Sequence, residues 1–136
     1  MDDLKHSDTT GKVIRAFYNV YNALGWGFLE KVYENALIVE LSEMGFSVER
    51  QKAINVYYKD KVVGEYFADL IVEGRVIVEL KAAVSISPAH EAQLVNYLKA
   101  TQFEVGLLLN FGQKAEYKRK ISENKKAGLL SVLFDP

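Results

Sequence analysis

The spacing of apolar residues changes its period near residue 47, and this change limits the fold more than any other feature of the sequence. Before it, apolar residues recur every three or four positions at 10–24 and 28–44, which is typical of amphipathic helices. After it, they alternate with a period of two at 48–58, 62–72 and 76–82, which is typical of strands. The sequence therefore predicts two helices followed by three strands.

Local signals complete this order of elements. "GWG" at 25–27 is expected to end the first helix and Gly45 to cap the second. Ser87 and Pro88 carry the N-cap and first-turn chemistry of a third helix that runs to about residue 100. The second helix is expected to turn six apolar residues inward: Leu29, Val32, Tyr33, Ala36, Leu37 and Leu41.

The run "VGLLLNF" is almost wholly apolar, as in a strand that is covered on both faces and reached by a crossover helix. Helices and strands in this order predict an α/β (α+β) domain with a central mixed sheet flanked by helices. A length of 136 residues fits one domain over 1–136.

Composition excludes some classes of function. A net charge of -1 and a pI near 6.1 argue against a generic nucleic-acid binder that acts through overall positive charge. The absence of cysteine excludes a thiolate metal site or a Cys nucleophile. The acidic start is unlike a signal peptide, and no apolar run approaches about 18 residues. A cytoplasmic protein without a membrane span is expected.

Ionisable residues interrupt the apolar stretch "FADLIVEGRVIVELKAA" at 67–83. Glu79 and Lys81 share one strand face by alternation. A three-residue loop at 73–75 would place Asp69 opposite Glu79, with Cβ atoms roughly 4.5 to 5.5 Å apart. A two-residue loop would instead place the two carboxylates on opposite faces.

Two adjacent carboxylates with an ammonium group beside them suit a hard divalent cation and its bound water. The metal would cancel the repulsion that otherwise raises one carboxyl pKa. The alternative is a plain exposed ion pair between Glu79 and Lys81, because a Glu two residues before a Lys is a common pattern.

Two helix faces carry further candidates. Gln93 and Tyr97 are four residues apart and share a face, although a helix flank with a half-buried tyrosine would show the same pattern. Glu30 and Tyr33 share a face of the second helix. Glu30 and Glu34 could equally be solvated first-turn acids that the helix dipole favours.

These residues together resemble the PD-(D/E)XK nuclease superfamily and, within it, the RecB-like branch. The resemblance spans roughly residues 25–111 and rests on the order Asp69, nine residues, Glu79-Leu80-Lys81, then Gln93-x-x-x-Tyr97. "GFLEKVY" at 27–33 also matches the signature of the GxxExxY protein family. Ala68 stands where the superfamily's name expects Pro, at a position that varies.

The resemblance implies a restriction-endonuclease-like fold and a metal-dependent nuclease that acts on nucleic acid, DNA in preference to RNA. It implies Mg²⁺ or Mn²⁺ held by Asp69, Glu79, the Leu80 carbonyl and Glu30, with Lys81 orienting the attacking water. Gln93, Tyr97 and Tyr33 would support the site or contact the substrate. The alternative is a non-catalytic module that binds nucleic acid or protein and retains the nuclease fold.

The C-terminal region holds the candidate phosphate contacts, although a solvated tail helix is the plainer interpretation of its charges. Near-neutral overall charge suggests weak substrate binding, or binding assisted by a homo-oligomer or a protein partner. His90 is expected to be a surface residue. The basic residues concerned are Lys114, Lys118, Arg119, Lys120, Lys125 and Lys126.

Overall fold

A computed structural model describes residues 6–122 of the protein. Within these residues, a five-stranded sheet in the order β1-β2-β3-β4-β5 forms the centre, and only the β3–β4 pair is parallel. The strands are β1 (Val48–Tyr58), β2 (Lys61–Val72), β3 (Val76–Lys81), β4 (Val105–Phe111) and β5 (Ala115–Ile121). The helices are α1 (Ser7–Leu24), α2 (Glu30–Glu43) and α3 (Pro88–Lys99).

Helices cover both faces of the sheet, and each face has its own apolar core. On one face, α1 and α2 pack against alternate residues of the central strands, such as Val78, Leu80 and Leu107. On the other, α3 packs against Ile77 and Leu108. Both faces of β4 are buried, which confirms the prediction of a covered strand reached by a crossover helix. The predicted mixed sheet with flanking helices is confirmed.

The inward face of α2 is narrower than the sequence predicts. Tyr33, Leu37 and Leu41 are fully buried, but Leu29 is 80% exposed and Val32 38% exposed. The prediction that Leu29 and Val32 face inward is wrong. α2 begins only at residue 30, so Leu29 is its N-cap and lies outside the helical repeat.

The basic C-terminal segment forms an edge strand, β5, instead of the predicted helix. It pairs antiparallel with β4 from Phe111–Ala115 to Val105–Ile121. The open edge of the buried β4 supplies a row of main-chain partners that outweighs the helical propensity of Lys, Arg and Glu. Lys125 and Lys126 lie outside the described residues.

The predicted helix boundaries near Gly45 and Ser87 hold in detail. Gly45 follows α2 with a φ of 88°, where glycine avoids the steric strain of a left-handed conformation. The Ser87 hydroxyl accepts a hydrogen bond from the His90 N–H, and His90 Nδ1 accepts one from the Ser87 N–H. His90 is therefore half-buried in a capping box.

The turn between β2 and β3 is the three-residue loop at 73–75. Val72 pairs with Val76, Ile71 with Ile77 and Leu70 with Val78. Gly74 has the positive φ that such a loop requires, 61°. The register therefore sets Asp69 opposite Glu79, and the two-residue alternative is excluded.

No helix within residues 6–122 is long and apolar enough to cross a membrane.

Candidate active site

The β2–β3 ladder stops at the pair that precedes Asp69 and Glu79. Its last regular pair is Leu70–Val78. Beyond that point β3 stays paired with β4 as far as Lys81, and β2 stays paired with β1. The two central strands therefore separate, and the carboxylates of Asp69 and Glu79 lie at the opening between them.

Both carboxylates replace main-chain partners that the separated strands have lost. The Asp69 N–H donates to Glu79 Oε2 at 2.8 Å. The Leu80 N–H donates to Asp69 Oδ2, also at 2.8 Å. Each carboxylate has one oxygen committed to the opposite strand. The second oxygen can contact a ligand, and that of Asp69 also accepts a long hydrogen bond from Gln51.

The alternation of β2 side chains between the two sides of the sheet is interrupted at Asp69. Ala68 packs in the core beneath α3, whereas Leu70 packs in the core beneath α1 and α2. Residues two apart in a regular strand would share a face. The neighbouring strand is irregular at the same level, since Gln51 has a φ of 51° and its side-chain amide donates to Asp69 Oδ1 at 3.5 Å. This local change in pleat brings the Asp69 carboxylate to the opening.

Burial and neighbouring negative charges disfavour the charged forms of both acids. The pKa of Glu79 is raised from 4.5 to about 8 by burial and then by the Asp69 charge, although Lys81 opposes the shift. The pKa of Asp69 is also raised, mainly by burial and then by the charges of Glu34 and Glu30, against the hydrogen bond from Leu80. Perturbed groups of this kind concentrate at functional sites.

The main chain just after Lys81 is held in place by Asn110 and Gly112. Lys81 lies on the same strand face as Glu79, and its ammonium lowers the Glu79 pKa. Just beyond it, the Asn110 side-chain amide binds both main-chain groups of Ala83, at 2.9 Å to its N–H and 3.0 Å to its carbonyl. Gly112 packs so closely on the Ala83 carbonyl that a Cβ would clash there.

Glu30 is the first residue of α2 and is exposed to solvent. Its charge nevertheless raises the pKa of both Asp69 and Glu79, so it lies within electrostatic reach of the opening. It borders a surface hollow with Ala82 and Ala83, just past the end of β3.

Tyr33 is fully buried, which limits it to supporting the site. Its hydroxyl donates to the Gly25 carbonyl at 2.7 Å and accepts from the Phe28 N–H at 3.1 Å. Its ring stacks on Phe111, with centroids 4.3 Å apart. Tyr33 thereby fixes the α1–α2 loop, and Glu30 is the residue that follows this loop.

Sequence reasoning missed a polar network beside Asp69. Glu34 is buried, forms an ion pair with Arg50 at 3.2 Å, and accepts a weak hydrogen bond from Gln51 at 3.4 Å. The interpretation of Glu34 as a solvated first-turn acid is therefore wrong. Its spacing of four residues from Glu30 was an available signal, because such residues share a helix face.

Gln93 and Tyr97 lie on α3, which packs over the strand face that carries Glu79. Tyr97 is only 6% exposed. Its pKa is raised to about 12 by burial, then by the charges of Glu79 and Asp69. Gln93 stands one turn earlier on α3, and both residues line a groove between α3 and the β1–β2 hairpin.

The basic residues of β5 do not form a single surface. Alternation places Lys118 and Lys120 on one face and Arg119 on the other. Lys120 binds Glu91 of α3 at 2.6 Å. The hydrogen bond from Lys120 lowers the Glu91 pKa, and the charge of Lys118 contributes to this shift. Part of the predicted phosphate-contact set therefore ties β5 to α3.

The oxygen donors at the opening fit a hard divalent cation in part. Asp69, Glu79 and the Leu80 carbonyl supply hard oxygen ligands, and Mg²⁺ commonly completes its shell with water. Burial raises both pKa values most, and neighbouring acids raise them further, so a cation would offset a part of the shift that comes from negative charge. Within residues 6–122, however, no three His, Cys, Asp or Glu side chains are gathered in the geometry of a metal site. A third carboxylate, such as Glu30, would have to move toward the other two.

Residues 7–121 match the family described as the PD-(D/E)XK nuclease superfamily, a range that runs from the start of α1 to the end of β5. Among solved structures, the chain is similar to the crystal structure of SSO0001, with a TM-score of 0.52 and 19% identity. The similarity covers 96% of this chain and 66% of that one, and at this identity it shows the fold alone. No curated protein matches the sequence. The family match and the mixed sheet confirm the predicted restriction-endonuclease-like fold.

Proposed function

The chain belongs to the PD-(D/E)XK nuclease superfamily, and on that premise we propose that it is a nuclease. It hydrolyses the phosphodiester bonds of nucleic acid with Mg²⁺ or Mn²⁺, and its substrate is DNA in preference to RNA. We further propose that it belongs to the GxxExxY family, through Gly27, Glu30 and Tyr33, and to the RecB-like branch, through Gln93 and Tyr97.

The observation that carries the proposal is the pair Asp69 and Glu79 at the opening between β2 and β3. Burial raises the pKa of both acids and the Asp69 charge raises that of Glu79 further, so the pair weakens the fold unless a positive charge joins it. The ammonium of Lys81 opposes the pKa shift of Glu79 but does not abolish it. The pair is thus better suited to binding a cation than to stabilising the sheet.

In this proposal, Asp69, Glu79 and the Leu80 carbonyl would hold the cation, and Glu30 would contribute directly or through water. A bound divalent cation lowers the pKa of its water and stabilises charge that builds on the phosphoryl oxygens. Asp69 and Glu79 keep the hydrogen bonds to the opposite strand, so their carboxylates enter the reaction already oriented.

Lys81 positions the attacking water and favours its deprotonated form, because its ammonium is a fixed positive charge beside Glu79. Asn110 and Gly112 hold the segment that follows, which limits the movement of Lys81. Gln93 and Tyr97 line the substrate side of the opening, and Tyr33 supports the Glu30 loop.

The experiment is a cleavage assay on single- and double-stranded DNA and RNA with Mg²⁺, with Mn²⁺ and with EDTA. Wild-type protein is expected to cleave at least one substrate only when the metal is present. Glu79→Gln and Lys81→Met are expected to abolish cleavage. The matched controls are Glu65→Gln and Lys61→Met, which remove the same charges from exposed positions on the outer part of β2.

Metal-independent cleavage, or full activity of Glu79→Gln, would contradict the proposal. Binding of nucleic acid without cleavage under every metal condition would favour the alternative of a non-catalytic module.

A further inference from the structure

A groove of about 600 Å³ lies between α3 and the outer part of the β1–β2 hairpin. Small-molecule sites commonly have volumes of about 300 to 1,000 Å³. The residues that give this groove its chemistry are Tyr66, Gln93, Asn96, Tyr97 and Lys99.

An exposed aromatic ring forms one wall of the groove. Tyr66 is 46% exposed, and its ring centroid lies 5.7 Å from that of Tyr97. A Cβ at Gly64 would lie 3.2 Å from Cε2 of Tyr66, so the ring rests directly against the glycine. The Tyr66 ring thus packs against Gly64, while much of its surface remains exposed and can contact another planar group.

Amide side chains stand beside this aromatic wall. Gln93 and Asn96 are three residues apart on α3 and line the groove with Tyr97. Each amide offers a hydrogen-bond donor and an acceptor, the combination that base edges match. Lys99 adds a positive charge that suits a phosphate. An aromatic face, two amides and a cation suit a nucleotide better than a purely apolar ligand.

The groove lies on the same side of the sheet as Glu79, because Tyr97 packs in one core with Ile77, and Ile77 shares a face of β3 with Glu79. Tyr66 precedes Asp69 by three residues on the same strand, a separation of about 10 Å. A phosphate bound through a cation at Asp69 and Glu79 would therefore leave a neighbouring nucleotide within reach of Tyr66.

We propose that this groove binds one unpaired nucleobase of the substrate, stacked on Tyr66 and hydrogen-bonded by Gln93 or Asn96. The inference rests on the proposed nuclease function and narrows its substrate to single-stranded nucleic acid or a frayed end. A base inside a duplex already has both faces stacked and its pairing edge occupied, so it has no free surface to offer.

The test measures binding of short fluorescent oligonucleotides in EDTA, where a metal-dependent cleavage reaction cannot proceed. Tyr66→Leu is expected to weaken binding of single-stranded DNA or RNA at least about fivefold, since stacking on an aromatic side chain contributes on that order per base. Tyr66→Phe, which keeps the ring, is expected to bind like wild type. Tyr58→Leu is the control, because Tyr58 is an exposed tyrosine of the same hairpin outside the groove.

A second measurement needs no protein variant. Wild-type protein is expected to bind an abasic single strand and a blunt duplex more weakly than the intact single strand. The Tyr66→Leu variant is expected to lose this preference for intact bases. Parallel DNA and RNA strands identify which sugar the site accepts.

Equal binding of intact and abasic strands by wild type would overturn the proposal, as would equal binding by Tyr66→Leu and wild type. Dissociation of an oligomer by Tyr66→Leu, with nucleotide binding unchanged, would assign the groove to a second copy of the chain and also overturn it. The nuclease proposal fails separately: if it is wrong, the protein does not cleave with Mn²⁺ but still binds intact strands more tightly than abasic ones.

Discussion

Asp69 and Glu79 each accept a hydrogen bond from the opposite strand at 2.8 Å, through the Leu80 N–H and the Asp69 N–H respectively. These bonds hold two acids together in the sheet at the point where regular pairing between β2 and β3 ends. The pair is fixed by main-chain donors, so it persists without a metal, but at the expense of like-charge repulsion. The following predictions depend on that balance.

Asp69→Asn is expected to leave the metal-free fold intact or slightly more stable. An Asn oxygen can still accept from the Leu80 N–H, whereas the repulsion with Glu79 disappears. Stabilisation by Mn²⁺, worth about 2.7 kcal/mol at a hundredfold excess over the dissociation constant, is expected to vanish with the ligand. Thermal unfolding with and without Mn²⁺ measures both effects.

The control is Asp60→Asn, in the exposed β1–β2 turn, where the φ of 66° suits Asn as well as Asp. It is expected to keep the wild-type response to Mn²⁺. A wild type that ignores the metal would contradict the metal-site proposal.

The metal-free protein is expected to lose stability as the pH rises from 4.5 to about 8. In this window Glu79 ionises in the unfolded chain but stays protonated in the folded state, because its folded pKa is about 8. The folded state therefore binds more protons, and the free energy of unfolding falls with a slope of at most about 1.4 kcal/mol per pH unit. Urea unfolding at a series of pH values measures the slope.

Glu79→Gln removes that titration and is expected to flatten the pH dependence. The residual slope then reports Asp69, whose pKa is shifted in the same direction. An unchanged slope in Glu79→Gln would show that Glu79 ionises normally in the fold.

Gly112→Ala is expected to destabilise the fold and to reduce cleavage, because the new Cβ would clash with the Ala83 carbonyl just beyond Lys81. Gly11→Ala is the control. Gly11 is exposed in α1 with no atom near an added Cβ, so Ala there is expected to stabilise by up to about 1 kcal/mol. Thermal unfolding and the cleavage rate of each variant separate a specific effect at Ala83 from a general effect of adding a methyl group.

Tyr33→Phe is expected to lower the free energy of unfolding by about 1 to 3 kcal/mol, because the Gly25 carbonyl and Phe28 N–H lose a buried partner. Tyr18→Phe, at an exposed position of α1, is expected to change stability little. If Tyr33→Phe matches Tyr18→Phe, the hydroxyl does not hold the α1–α2 loop.

The sequence alone was sufficient for those features that depend on local chemistry and simple periodicity. Ser87 and Gly45 mark helix boundaries through their own side-chain or backbone properties. The three-residue loop around Gly74 is one of the two loop lengths that the sequence allowed, and its formation places Asp69 opposite Glu79. The parallel placement of β4 follows from its uninterrupted apolar run and the helix before it.

Tertiary structure alone decided the features that depend on distant partners. β5 is a strand because the edge of β4 is available to it, although its residues are those of a charged helix. Glu34 can be buried because Arg50 of β1 forms an ion pair with it. Ala68 and Leu70 face opposite sides of the sheet because the backbone is irregular at Asp69 and, on the neighbouring strand, at Gln51. The sequence could not predict this, since a periodic pattern describes one strand at a time. Residue spacing sets which groups share a face, whereas the packing of separate elements sets which of them meet.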